Sequence, residues 1–407
     1  MSAKHRAQAN PTGVLVVGAG AAGLATVEAL RRGGYRDPIT LLGAEPHLPY
    51  DRPPLSKQIL TGAWRAEQTM LRPPRMLAEL DVRVVLGVTA LSLDAATRTV
   101  HTTSGAWRAD YIVIATGAAP RPLPGIPTPA GVHVLRTLDD ALALRAAARR
   151  GATVAVVGEG VLGAEIAATT ARLGRSVTMI GPLRAPMITQ LGDVVADRLA
   201  ELHIRHGVRL RLGTGVRGFT EHDGRATGVV LHTDAVIPAD LIVLAIGAAP
   251  ATGWLDGSGL TLDDGIVCDH ACRAAANIYA VGDVARWRHP DTGHTVRLEN
   301  RTNASEQASI VAAAVLGGDP AYRPISYFWT DQLGVKIQVF GAVTSGAEAT
   351  VVEGDPAGDR FVVRYDSAGT PVAVVGWNMP KQVRAHRQRL VEAAAAARDR
   401  AAASALP

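Results

Sequence analysis

Two stretches of this chain run a short apolar strand into the same glycine pattern. Val14-Leu-Val-Val-Gly-Ala-Gly-Ala-Ala-Gly and Val154-Ala-Val-Val-Gly-Glu-Gly-Val-Leu-Gly each set G-x-G-x-x-G between four apolar residues and a helix-forming run. In such a fingerprint the first glycine (Gly18, Gly158) allows the tight turn and the second (Gly20, Gly160) lets the backbone approach a pyrophosphate. The third (Gly23, Gly163) lets helix pack on strand, so that unpaired N–H groups at the helix N-terminus face the anion. Two fingerprints imply two dinucleotides, and a flavin facing a nicotinamide is the economical reading.

The repeat extends beyond the glycines. Asp110-Tyr-Ile-Val-Ile-Ala-Thr-Gly-Ala-Ala-Pro and Asp240-Leu-Ile-Val-Leu-Ala-Ile-Gly-Ala-Ala-Pro add a matching buried strand to each half, ending in Thr116-Gly117 and in Gly247. A single G-x-G-x-x-G is often an ordinary strand-to-helix turn, whereas two copies with matched downstream strands require four elements in order.

These patterns predict an α/β chain with two Rossmann-like dinucleotide-binding domains and a smaller α+β domain at the C-terminus. The first domain is expected over 13–115 and 248–319, the second over 116–247 and the third over 320–407, with 1–12 a disordered tail. The opening unit reads as strand Val14–Val17, helix Ala21–Arg32 and strand Ile39–Leu42. After about Pro320 the pattern changes to alternating strands near Val335–Phe340, Ala349–Val352, Phe361–Tyr365 and Val372–Gly376, then an Ala/Arg-rich helix from Gln382.

At 407 residues and 47% hydrophobic side chains, the chain can bury a large interior. Its net charge of +5 is spread along the sequence without a basic run, which argues against nucleic acid as a partner and leaves room for a field that steers an acidic protein. No uninterrupted apolar run reaches membrane-spanning length, and the apolar stretch near the N-terminus is explained by the fingerprint; a cytoplasmic protein is expected. Only Cys268 and Cys272 occur, in a C-x3-C spacing that is neither a zinc site nor a C-x-x-C redox pair. They read as partly buried, redox-silent thiols near a strand.

Three further residues stand out. Glu45 follows the second strand, where an acid accepts hydrogen bonds from a ribose diol. Pro49-Tyr-Asp-Arg-Pro-Pro-Leu-Ser-Lys57 carries three prolines and cannot form a regular helix or central strand, so it reads as a rigid loop. Lys57 at its end is one of four lysines among 42 basic residues, which suggests a need for a compact ammonium unless it is a solvated loop residue. Asp283, in Ile278-Tyr-Ala-Val-Gly-Asp-Val-Ala, sits at a strand-to-helix turn and is either a simple cap or a holder of sugar hydroxyls that Gly282 allows to come close.

Several independent motifs resemble the FAD-dependent ferredoxin reductases that feed cytochromes P450 and ring-hydroxylating oxygenases. They are Leu48-Pro-Tyr-Asp-Arg-Pro-Pro-Leu-Ser-Lys, Ala115-Thr-Gly, Leu135-Arg-Thr-Leu-Asp-Asp, Tyr279-Ala-Val-Gly-Asp-Val-Ala and Tyr327-Phe-Trp-Thr-Asp-Gln, in order over about residues 12 to 395. The resemblance implies FAD on the first fingerprint (Gly18, Gly20, Ala22, Gly23), with Glu45 on the adenosine ribose, Val88 beside the adenine and Asp283 on the ribityl chain. It further implies FAD contacts from Arg52, Thr116, Gly117, Arg136 and Gly282, and Trp329 near the flavin edge that faces the iron–sulfur partner. NADH or NADPH would lie on Gly158, Gly160, Gly163 and Gly247. Lys57 would approach flavin N5 paired with Glu165, and both are candidate catalytic residues; alone, Glu165 would read as a surface helix glutamate. The implied partner is an acidic [2Fe–2S] ferredoxin, with the reductase a monomer or homodimer and no metal of its own.

Three positions depart from that pattern. The strand Ser176-Val-Thr-Met-Ile ends in Gly181, where relatives usually carry a glutamate for the NAD ribose, so Arg184 or Arg175 could instead meet a 2′-phosphate. Glu159, inside the second phosphate loop, should weaken anion binding unless its side chain points to solvent. Asn300-Arg301 replaces a His-Trp pair and brings Arg301 into the candidate flavin contacts. Two rival readings stay open: an oxidase or small-acceptor reductase using the same hydride step, and a flavoprotein whose nucleotide binding controls association more than turnover.

Overall fold

The computed structural model describes residues 13–404, so the expected tail over 1–12 lies outside the described residues. The chain divides into two compact units. The first combines the residues up to Asp51 with Thr69–Ala119 and Ala249–Pro324; the second combines Arg52–Gln68, Pro120–Ala248 and the segment from Ile325.

In the first unit β1 (Val14–Val17), α1 (Ala21–Arg32) and β2 (Ile39–Leu42) form at the limits expected from the sequence. All eight strand residues are buried, as continuous apolar runs in a parallel sheet covered on both faces require. The sheet has six strands in the order Arg273–Ala275, Ile278–Ala280, Tyr111–Ile114, β1, β2 and Val82–Val85. Its last five run parallel, so their C-terminal ends share one edge. Helix Arg301–Val315 packs with its Val311 and Ala312 in the same core.

The second unit repeats the plan. Strand β3 (Thr153–Val157), helix α2 (Val161–Arg172) and strand β4 (Ser176–Gly181) follow one another, and α3 (Ile188–Arg205) leads on to strand Arg209–Leu212. The five-stranded parallel sheet runs Arg209–Leu212, β4, β3, Leu241–Leu244, Val132–His133. Residues 52–68, read above with the first dinucleotide domain, pack in this unit. Pro54 leads directly into a π-helical turn over Leu55–Ile59, so the proline-rich segment ends in a helical turn that carries Ser56 and Lys57.

The C-terminal segment also belongs to the second unit. It is an antiparallel five-stranded sheet beginning with β5 (Tyr327–Gln332), followed in space by Val335–Gly341, Thr370–Trp377, Arg360–Ser367 and Glu348–Asp355. Helix α4 (Pro380–Ser404) lays Val383 and Leu390 against Phe340, Val362 and Val374. No helix among the described residues is long and apolar enough to cross a membrane.

Several polar contacts join this sheet to α3, one of them from a buried histidine. His203 is fully buried, and its Nε2 lies 2.9 Å from Oε1 of Gln332 on β5 while its Nδ1 has no partner. Burial pushes the imidazole down to about 4. An unfolded chain takes that proton near 6.5 and the folded one refuses it until about 4, so the stabilising contribution is whole above 6.5 and drains away as pH falls to 4. Over that window the loss approaches about 3 kcal/mol. Thermal melts should therefore fall more steeply between pH 6.5 and 4 for the parent than for His203→Asn; parallel profiles would exclude this histidine as the cause.

Candidate functional site

Five chain reversals sit along the C-terminal edge of the first parallel sheet, and each carries residues singled out from the sequence. In strand order they are Gly282-Asp283, Thr116-Gly117, Gly18 to Gly23, Glu45 and Val88. Strands spaced about 4.8 Å apart make this rim roughly 19 Å long, which suits an extended dinucleotide laid across strand ends.

The centre of the rim is a built anion cradle. Gly18 has φ +119°, and a Cβ there would stand 2.2 Å from the Ala115 carbonyl oxygen. At Gly23 it would stand 1.9 Å from the Gly18 oxygen, whereas at Gly20 it would meet nothing within 4 Å. Gly20 caps α1 without a side-chain hydrogen bond, and the first turn holds no acid, so the positive helix end faces open space. These residues fit a pyrophosphate.

The neighbouring turns are fixed by their own bonds. The Gly282 N–H donates to Gln307 Oε1 at 2.7 Å and Gly282 abuts Ala22, which sets the 3-10 turn bearing Asp283. Thr116 Oγ1 donates to the Ala251 carbonyl at 3.0 Å, and the Ala251 N–H returns a bond to Gly117 at 2.9 Å. The Val88 N–H donates to the Gly43 carbonyl at 2.9 Å. Tyr50 donates its hydroxyl to Glu45, a partner that sequence reasoning missed. Arg301, the first residue of its helix, pairs with Asp51 at 2.8 Å and donates to Ser305 at 2.7 Å.

The second unit carries a like cradle. Gly158 has φ +122° and would place a Cβ 2.2 Å from the Ala245 oxygen; Gly163 would place one 2.0 Å from the Gly158 oxygen; Gly160 is open and caps α2 without a side chain. Gly247 follows the parallel strand Leu241–Leu244 on the same edge and accepts from the Arg121 N–H at 3.0 Å. Glu159 does not point to solvent, contrary to the condition set above: it is 6% exposed. Arg184 is held by Asp193 and Asp197, and Arg175 precedes β4, at the end opposite the phosphate loop.

Glu165, in the second turn of α2, is buried rather than a surface glutamate. Its Oε2 lies 2.7 Å from Lys57 Nζ and accepts from Ser56 Oγ at 2.5 Å, while Thr330 Oγ1 donates to Oε1 at 2.7 Å. Lys57 Nζ also donates to the Pro53 carbonyl at 3.1 Å, and its side chain is 14% exposed. Gln332 Nε2 donates to Thr330 at 3.0 Å, extending the chain of contacts back to His203. A lysine and a carboxylate this enclosed act as one unit, because either alone would be a desolvated charge. Ser56, Thr330 and Gln332 lie inside motifs quoted above for their Lys57 and Trp329.

Arg52 donates to the Arg136 carbonyl, and the Arg136 N–H donates to Asp140 at 3.0 Å, so the two arginines are neighbours within the second unit. Trp329 is half-buried on β5 and stacks on Tyr327 with ring centroids 5.9 Å apart. Cys268 and Cys272 are buried in the core of the first unit, where burial pushes both thiols well above their ordinary range. Such thiols are poor nucleophiles and poor electron relays.

Comparison with known proteins agrees with this geometry. Residues 12–308 match the family described as pyridine nucleotide-disulphide oxidoreductase, and residues 327–407 match the reductase C-terminal domain. The chain is 35% identical over 381 residues to rhodocoxin reductase of Rhodococcus erythropolis, covering 93% of this chain and 89% of that one. It is 36% identical over 388 residues to the ferredoxin–NAD(+) reductase component of the anthranilate 1,2-dioxygenase system of Burkholderia cepacia, covering 94% of each. The solved covalent putidaredoxin reductase–putidaredoxin complex aligns with a TM-score of 0.87 at 31% identity, over 94% of this chain and 93% of that one. Two fingerprint cradles, the FAD they call for in this fold and the matched C-terminal sheet place the chain in the pyridine nucleotide-disulphide oxidoreductase family, among its ferredoxin reductases.

Proposed function

We propose that this protein takes electrons from NAD(P)H and delivers them singly, through FAD, to an acidic [2Fe–2S] ferredoxin that serves a cytochrome P450 or a ring-hydroxylating oxygenase. The observation that carries the reading is the pair of uncapped fingerprint helices in a chain whose two cysteines are sealed in a core, which leaves direct transfer to a partner. FAD supplies the conversion between a two-electron hydride and one-electron steps.

The residues divide the labour as follows. Gly18, Gly20, Ala22 and Gly23 hold the FAD pyrophosphate; Glu45 and Val88 take the adenosine end, while Thr116, Gly117, Gly282 and Asp283 take the ribityl side. Arg52, Arg136 and Arg301 add polar contacts. Gly158, Gly160, Gly163 and Gly247 receive the pyridine nucleotide. Lys57, kept in place by Glu165, offsets the negative charge that arrives with the hydride. Trp329 lies toward the partner. The chain's +5 charge favours an acidic ferredoxin and a rate that falls with salt.

The test is NADH- and NADPH-driven reduction of a cognate ferredoxin, with peroxide release measured in parallel. Reduction of ferredoxin in step with nucleotide oxidation supports the proposal. Nucleotide consumption that yields peroxide at the same rate with or without ferredoxin replaces it with an oxidase, and flavin bleaching slower than minutes replaces it with a non-catalytic nucleotide-responsive role.

A further inference from the structure

The two halves of the chain handle one pair of positions differently. In the first unit a Cβ on Gly43, just past β2, would stand 2.7 Å from the Cβ of Ala19, the residue between the first two fingerprint glycines. In the second unit a Cβ on Gly181, at the end of β4, would stand 1.8 Å from Oε2 of Glu159, the residue at the matching place. In the first half the methyl group of Ala19 closes off the strand end, and there the acid, Glu45, comes from beyond the strand. In the second half the strand-end residue is again a glycine, and the loop supplies a carboxylate that fills the volume its side chain would take.

The carboxylate is aimed, not loose. Oε1 accepts the Leu183 N–H at 3.1 Å, and the backbone on the other side is pinned where the Met187 N–H donates to the Glu159 carbonyl at 2.8 Å. Oε2 accepts from no group among the described residues, and it is not one of the polar atoms sealed from solvent, so it stays within reach of a ligand. A carboxylate oxygen with no protein donor and access to solvent can accept a hydrogen bond from a ligand. It lies at the end of the second strand of a βαβ unit, beside the phosphate cradle, where an adenosine ribose offers two adjacent hydroxyls.

We propose that Glu159 is the ribose-recognising acid of the nicotinamide dinucleotide site, supplied from the phosphate loop in place of the strand-end residue, and that it makes the protein selective for NADH over NADPH. A 2′-phosphate would remove one hydroxyl donor and set a doubly charged group against a desolvated carboxylate. The arginines that could offset it do not serve: Arg184 already pairs with Asp193 and Asp197, and Arg175 lies at the far end of β4, about 20 Å away along six residues of strand. This inference rests on the second fingerprint binding a pyridine nucleotide.

Calorimetric titration of the FAD-loaded protein with ADP-ribose and with 2′-phospho-ADP-ribose reads the site without turnover. The parent is expected to bind ADP-ribose at least about tenfold more tightly, the scale of a charge-assisted hydrogen bond. Glu159→Gln should weaken ADP-ribose by about tenfold and leave the phosphorylated probe unchanged or tighter. Because a change in the loop can disturb folding, the double variant Glu159→Gly with Gly181→Glu moves the acid back to the strand and should restore the preference for ADP-ribose. Equal binding of the two probes by the parent, or an unaltered ratio in Glu159→Gln, overturns the proposal while the nucleotide-site reading stands. Failure of the parent to bind either probe overturns both.

Discussion

Glu165→Gln is expected to slow NADH-driven bleaching of the bound flavin by about 10²-fold while the purified protein stays yellow. The carboxylate is buried between Lys57, Ser56 and Thr330, so its loss leaves an ammonium that is 14% exposed with only the Pro53 carbonyl and a hydroxyl. Breaking a buried pair from one side costs about 3–5 kcal/mol in stability. Lys57→Met strips the same pair from the other side and should slow bleaching to a like degree. Since each residue acts through the other, the double variant should be little slower than either single one. Stopped-flow absorbance, with a thermal melt on each variant, gives the answer; rates like the parent's would remove both residues from the hydride step.

Gly18→Ala and Gly158→Ala should separate the two cofactor sites. Both positions have strongly positive φ, and both would drive a Cβ to 2.2 Å from a carbonyl oxygen of the neighbouring strand's end, at Ala115 and Ala245 respectively. Side chains avoid that backbone region, and the carbonyl belongs to a turn that cannot yield without moving the rim. The Gly18 variant is expected to purify colourless, with affinity for FAD lowered by about 10³-fold or more. The Gly158 variant should remain yellow and lose pyridine nucleotide. Visible spectra and calorimetry with ADP-ribose report the two outcomes, and a yellow Gly18→Ala protein that holds FAD as tightly as the parent would falsify the assignment of the first cradle.

Much of the scaffold was legible because local rules and packing agree. Strand β1, helix α1 and strand β2 fall at the residues where apolar runs and glycines place them, and parallel order then forces Glu45, Val88, Thr116 and Asp283 onto one edge. What stayed hidden depends on distant contacts. Ser56 and Thr330 meet Glu165 across 109 and 165 residues of chain, and no local periodicity encodes such a meeting. Strand β5 escaped notice for a related reason: its buried positions include Thr330 and Gln332, polar residues that break the alternation by which strands are recognised. The direction of Glu159 was equally illegible, because it depends on the missing side chain of Gly181 on another element.

The support that β5 gives to Glu165 bears on how reductases of this kind can be re-targeted. A natural way to change the electron acceptor would be to exchange the C-terminal sheet between relatives and keep the nucleotide-handling portion intact. Here that exchange is not modular, because the sheet also props the buried Glu165 carboxylate beside Lys57 through Thr330 and ties α3 through Gln332. A hybrid that imports foreign residues at those two places would lose the hydroxyl that holds Glu165 against Lys57, and a slower flavin reduction would be misread as poor partner recognition.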